Sequence, residues 1–152
     1  MESGAPEIVA VDDDAFSLRM IETLLRSDGH TRAHLCRTVA AALDALDALL
    51  GRKILLICDL NMPETDGVEF IRILATRRFE GELIICSGAN RIVRNGAVNL
   101  AQAYGLRLCG IVEKPISPQL FIRQIRASTQ PEPVYLVQTP LTGLPKVPTP
   151  SC

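Results

Sequence analysis

Two apolar patterns take turns along the chain, and few architectures can absorb that alternation. Short runs with apolar residues on consecutive positions read as strands: "EIVAVD" (Glu7 to Asp12), "TRAHLC" (Thr31 to Cys36), "KILLICD" (Lys53 to Asp59), "ELIICSG" (Glu82 to Gly88) and "RLCGIVEKP" (Arg107 to Pro115). Consecutive apolar positions are expected of strands covered on both faces. Between the runs, apolar residues recur at helical spacing: Leu18, Ile21 and Leu25; Val39, Leu43, Leu46 and Leu50; Val68, Ile71 and Ala75; Val93, Ala97, Leu100 and Tyr104. Gly29 stops the first of these helices, Thr38 caps the second, and Ser117 with Pro118 opens a last one over "SPQLFIRQIRAS".

Five strand–helix units with short connections predict an α/β fold. The expected core is a doubly wound, five-stranded parallel sheet in the order 2-1-3-4-5, with helices on both faces. A composition of 47% hydrophobic and 22% charged residues suits a globular domain. The pattern ends near Ser128, which predicts a domain over residues 1–128. Residues 129–152 hold six of the ten prolines and read as an extended linker or tail.

A net charge of −1 gives no footprint for nucleic acid or a membrane surface. "MESGAPE" lacks the pattern of a signal peptide, and no apolar run reaches the roughly 18 residues of a spanning helix. A cytoplasmic location is expected. The five cysteines form no CxxC pair, and Cys36, Cys58, Cys86 and Cys109 read as small buried hydrophobes in a reducing compartment. His30 and His34 are expected at the surface or sheet edge. Arg72, Arg77, Arg78, Arg91 and Arg94 are expected on solvated helix faces.

A doubly wound sheet carries its reactive groups at the carboxyl ends of its strands. Asp12, Asp13 and Asp14 follow the first strand, Asp59 ends the third, Ser87 ends the fourth, and Lys114 with Pro115 follows the fifth. Singly, each has a structural explanation: a helix cap, a turn cap, a Ser-Gly turn, a surface lysine. Jointly they put three acids, a hydroxyl and an ammonium in one crevice. Close carboxylates repel unless a cation joins them. Mg²⁺ prefers oxygen ligands, which suits Asp13 and Asp59 as direct ligands, Asp12 behind them, and the Asn61 backbone carbonyl. A carboxylate can attack phosphorus to form an acyl phosphate, while Lys114 and the Ser87 hydroxyl hold phosphoryl oxygens.

"VDDDAFSLR", "CDLNMPETDGVEF", "CSGA" and "EKPIS" resemble the receiver domain of bacterial two-component response regulators, over roughly Ile8 to Ala127. The resemblance implies a flavodoxin-like fold with Asp59 as phosphoacceptor, Asp12 and Asp13 as the acidic pair, and Ser87 as the switch hydroxyl. It implies Lys114 before a cis peptide at Pro115, loop roles for Pro63 and Gly67, and Mg²⁺ as cofactor. The donor would be the phosphohistidine of a sensor kinase or phosphotransfer protein. Output would run through the fourth helix, fifth strand and fifth helix, a surface that could also form a homodimer. Receivers often carry Tyr or Phe three residues before the lysine; here that residue is Ile111. "AQAYGLRLCGIVEKPISPQL" further resembles receivers ahead of EAL-type cyclic-di-GMP phosphodiesterase domains, although no EAL-type catalytic sequence is present. A signalling domain, not an enzyme beyond its own phosphoryl transfer and dephosphorylation, is therefore expected. The alternatives are a phosphate-independent dimerisation or interaction module with a vestigial site, and a phosphatase. Aspartyl phosphatases usually need a second Asp two residues after the nucleophile, where this chain has Asn61.

Overall fold

The computed structural model describes residues 6–62, 67–88 and 90–129. Five strands alternate with five helices: β1 (Glu7–Val11), α1 (Ala15–Ser27), β2 (Ala33–Cys36), α2 (Val39–Ala48), β3 (Ile54–Asp59), α3 (Gly67–Thr76), β4 (Glu82–Ser87), α4 (Arg91–Ala103), β5 (Arg107–Glu113) and α5 (Pro118–Thr129). All pairings are parallel, in the order β2-β1-β3-β4-β5, as expected. Pro118 is the first residue of α5, where its fixed φ suits a helix start and its missing N–H costs nothing. The proline-rich segment from residue 130, and Pro63, lie outside the described residues.

Neighbouring strand residues point to opposite faces, so each central strand feeds two cores. Val9, Val11, Leu56, Cys58, Leu83 and Ile85 pack with Ala42 of α2, Phe70 and Leu74 of α3, and Ala97 of α4. Ile8, Ala10, Leu55, Ile57, Ile84 and Cys86 pack with Leu18 and Ile21 of α1 and Phe121 and Ile125 of α5. Right-handed crossovers explain the division. The chain steps one way from β1 to β2 and then returns past β1 to β3, so α1 lies on one face and α2 on the other.

The expected helix stripes hold in part. Leu18, Ile21 and Leu25 are buried, as are Val39 and Leu46. Leu50 is 85% exposed because α2 ends before it; its C-cap is Leu49, which is buried together with Ala42. In α3, Ile71 is buried with Phe70 and Leu74. α4 buries only Ala97 and Ala101, leaving Val93 and Tyr104 exposed, so small residues seat this helix against its neighbours.

Cys36, Cys58 and Cys86 are buried free thiols. Burial pushes the Cys58 and Cys86 thiols well above their ordinary range, so both stay protonated. Cys109 departs from expectation: it is half-buried and disulfide-bonded. Leu83 pairs with Leu108 and Ile84 with Gly110, which leaves Cys109 as the extra residue of a bulge in β5. The Gln124 amide donates to the Cys109 carbonyl (3.1 Å).

Other expectations fail where polar partners intervene. His30 is largely buried, its Nε2 3.4 Å from Asp28, whose carboxylate accepts two hydrogen bonds from Arg126 of α5. Arg94 is mostly covered and pairs with Glu113 at 2.9 Å. His34 lies on the edge strand β2, as expected, with Nε2 3.2 Å from Glu7.

The loop after β3 is pinned at its ends: the Gly67 N–H donates to the Leu60 carbonyl (3.0 Å). A Cβ at Gly67 would fall 2.6 Å from the Leu60 Cα, which is backbone and cannot rotate away. Gly67→Ala should therefore lower unfolding free energy by roughly 1–3 kcal/mol. Denaturant unfolding checks this; an unchanged midpoint would show that the loop closes by another route.

Candidate functional site

The sheet reverses its winding between β1 and β3, and their carboxyl ends lie side by side. Val11 pairs with Cys58, so Asp12 and Asp59, one residue further on, emerge together. Asp13 joins them: one carboxylate oxygen from each of Asp12, Asp13 and Asp59 lies within 4.8 Å of the others. From β5, Lys114 Nζ reaches Asp12 Oδ2 at 2.6 Å and Asp59 Oδ1 at 3.5 Å. The Lys114–Pro115 peptide is cis. The Lys114 N–H donates to the Ser87 carbonyl (3.1 Å), which ties the end of β4 to the lysine.

Burial and bonding differ among the acids. Asp12 is buried with both oxygens engaged, Oδ1 accepting from the Asp14 N–H (2.9 Å) and Oδ2 from Lys114. Asp59 is buried, and its Oδ1 accepts from the Asn61 N–H (3.2 Å). Asp13 is half-buried. Asp14 caps α1, accepting from the Phe16 N–H (3.3 Å) and the Ser17 hydroxyl (3.0 Å), so the structural reading of the acidic run applies to its third member. Ser87 is buried at the end of β4, and Asn61 is exposed.

The structure thus brings Asp12, Asp13, Asp59 and Lys114 together, with the backbones of Ser87 and Asn61 bonded to members of the group. Arg37 was not legible as a site neighbour. It follows β2, the one strand whose end offers no acid, hydroxyl or lysine. Its guanidinium donates to the Asp13 carbonyl (3.0 Å).

Electrostatically the group is short of positive charge. Burial, with the nearby Asp12 charge, pushes the Asp59 carboxyl up to about 6 despite the Asn61 N–H and Lys114, which favour its anion. Burial works against the Lys114 charge, but the Asp12 hydrogen bond and the two carboxylates outweigh it and raise its pKa. An oxygen-only cluster with surplus negative charge fits a hard divalent cation such as Mg²⁺. Since both oxygens of Asp12 are engaged, Asp13 and Asp59 are the carboxylates open to it.

The raised Asp59 pKa has a stability consequence. In the unfolded chain this carboxyl titrates near 3.8. Below that value both states bind the proton and the group is neutral in its effect. Above about 6 the folded state carries the full cost of a buried charge. Asp59→Asn should thus stabilise the metal-free protein at pH 8 by on the order of 1–3 kcal/mol. The gap should close as pH falls from about 6 towards 4. Paired unfolding curves in chelator check this, since the lowered carboxyls of Glu7 and Asp28 are common to both proteins. A gap that widens with acid would contradict the assignment.

Comparison with known proteins agrees with this geometry. The family described as "Response regulator receiver domain" matches residues 8–126. The protein-glutamate methylesterase/protein-glutamine glutaminase of Halalkalibacterium halodurans is 29% identical over 116 residues, covering 74% of this chain and 31% of that protein. The KDP operon transcriptional regulatory protein KdpE of Escherichia coli is 27% identical over 128 residues, covering 84% and 56%. This chain thus spans less than two thirds of either relative. A response regulator from Colwellia psychrerythraea superposes with a TM-score of 0.70 at 26% identity, over 82% of this chain and 96% of that one. The Vibrio cholerae chemotaxis protein CheY4, at 19% identity, shares the fold with a TM-score of 0.67 over 83% and 99%. The chain belongs to the response regulator receiver-domain family.

Proposed function

We propose that Asp59 is the phosphoacceptor and takes its phosphoryl group from a phosphohistidine on a sensor kinase or phosphotransfer protein. The observation that carries this reading is Lys114, whose ammonium lies against both Asp12 and Asp59 inside a three-carboxylate cluster. An Asp59 carboxylate oxygen attacks phosphorus, the phosphorus–nitrogen bond breaks, and the imidazole leaves with its electron pair. In this reading Lys114 turns from Asp59 towards a phosphoryl oxygen, and the Ser87 hydroxyl holds another. Asp13, Asp59 and the Asn61 carbonyl would hold Mg²⁺, with Asp12 keeping Lys114 and the loop in place. Bound there, a divalent cation supplies neutralisation of the charge that otherwise keeps donor and acceptor apart.

Phosphorylation then shifts a two-state equilibrium by contacts that only the phosphorylated state can make. The shift runs from Ser87 into the α4–β5–α5 surface, which serves as the output face and as a site for homodimer formation. Ile111 sits on that face and is 39% exposed, so a side chain smaller than the usual aromatic must report the switch. A second reading, a phosphate-independent interaction module, draws on the same surface, where Ile92 of α4 is also exposed. Among the described residues no helix is long and apolar enough to cross a membrane. A cytoplasmic setting follows from the proposed donor. The stretch resembling receivers ahead of EAL-type domains makes a cyclic-di-GMP phosphodiesterase the first output to test.

Beryllofluoride with Mg²⁺ mimics the acyl phosphate and separates the two readings. Amide NMR resonances of Ser87 and Ile111 should move in the wild type and stay still in Asp59→Asn. A wild type that is silent but already dimeric would favour the phosphate-independent module.

A further inference from the structure

β2 forms one edge of the sheet, and its end carries none of the groups assigned to phosphoryl chemistry. It is nevertheless tied to the acidic loop twice. The Asp12 N–H donates to the Cys36 carbonyl (3.0 Å), and the next residue, Arg37, sends its guanidinium to the Asp13 carbonyl (3.0 Å). The second tie has a counterpart on the same peptide unit. The C=O of Asp13 and the N–H of Asp14 belong to one plane. That plane is held at both ends: the carbonyl by Arg37, and the N–H by Asp12 Oδ1 (2.9 Å). Its orientation sets ψ of Asp13 and φ of Asp14, and hence where the Asp13 carboxylate stands relative to Asp59. On the far side of the plane, Asp14 caps α1 from an extended conformation (φ −91°, ψ 114°), so the same plane also fixes how α1 departs from the loop.

We infer that Arg37 is a positioning residue for the metal site: by clamping the Asp13–Asp14 peptide plane it sets Mg²⁺ affinity through Asp13, without contacting the ion. This rests on the proposed Mg²⁺ site. The guanidinium also brings a positive charge near the acids, and the two effects of removing it have opposite signs. Loss of charge alone would strengthen cation binding, whereas loss of the clamp would weaken it by leaving Asp13 free to reorient. The clamp outweighs the charge, because Arg37 is exposed and its charge is screened by solvent, whereas the hydrogen bond acts directly on the loop.

Three variants separate the effects: Arg37→Lys keeps charge and a donor of nearly the same reach, Arg37→Gln keeps only a short neutral donor, and Arg37→Met keeps neither. Mg²⁺ is titrated by calorimetry without phosphodonor, and exchange of the Asp14 amide is followed by NMR in chelator. Arg37→Met should raise the Mg²⁺ Kd by about three- to tenfold and speed Asp14 exchange several-fold. Arg37→Lys should stay within about threefold of wild type in both, and Arg37→Gln, too short to reach the carbonyl, should fall between Lys and Met. Thermal midpoints should agree across the set, since the side chain buries little. If Met binds Mg²⁺ as well as or better than wild type, or if Lys is impaired as much as Met, the clamp is wrong. If the wild type fails to bind Mg²⁺ at all, the metal site itself fails, and the exchange arm still decides whether Arg37 holds the plane.

Discussion

One ammonium among three carboxylates governs this molecule. Lys114 reaches Asp12 and Asp59 from across the sheet, and among the described residues no ion pair with the third acid, Asp13, stands beside them. Such a cluster is costly in a folded protein, because carboxylates drawn together repel and buried ones lose water. It persists because it sits at the rim of the sheet, where the core beneath is dense and apolar and can hold the backbone against that repulsion. The shortage of positive charge is also what gives the site its chemistry. A cluster already neutral would have no use for a cation.

The fold places that shortage where it can be used. Parallel strands bring successive carboxyl ends to one edge, and the reversal between β1 and β3 puts Asp12 beside Asp59. Each acid is then set by a backbone contact: Asp59 by the Asn61 N–H, Asp12 by the Asp14 N–H, and Asp13 by the plane that Arg37 holds. The Lys114 N–H on the Ser87 carbonyl connects this edge to β4, beside the start of α4. The site and the proposed output face therefore share backbone at Ser87, through which a change at one would be felt at the other.

Much of this was written in the one-dimensional pattern. Consecutive apolar residues in "KILLICD" and "ELIICS" are a direct consequence of covering a parallel sheet on both sides, so the strands and their order were legible. The acids and lysine were legible because strand ends are easy to locate. What escaped depends on geometry that periodicity does not encode. Leu50 continues an apolar stripe on paper, but α2 ends before the stripe does. Val93 and Tyr104 share a stripe with Ala97, yet α4 sits on its alanines and turns the larger residues outward. The bulge at Cys109 brings Gly110 against the end of the Gln124 side chain from α5, a contact that no local pattern encodes. Arg37 carries no signal in the sequence, since only the three-dimensional loop shows that its target is the Asp13 carbonyl.

The central claim is that Asp59 forms an acyl phosphate with help from a cation held by its neighbours. Intact-mass spectrometry after incubation with acetyl phosphate, with Mg²⁺ or with chelator, tests it most directly, followed by trapping of the acyl phosphate and peptide mapping. A mass gain of one phosphoryl group is predicted, present only with Mg²⁺, mapping to Asp59 and absent from Asp59→Asn. A chain that gains no phosphoryl group, or one that carries it on another residue with Asp59→Asn labelled equally, would contradict the account.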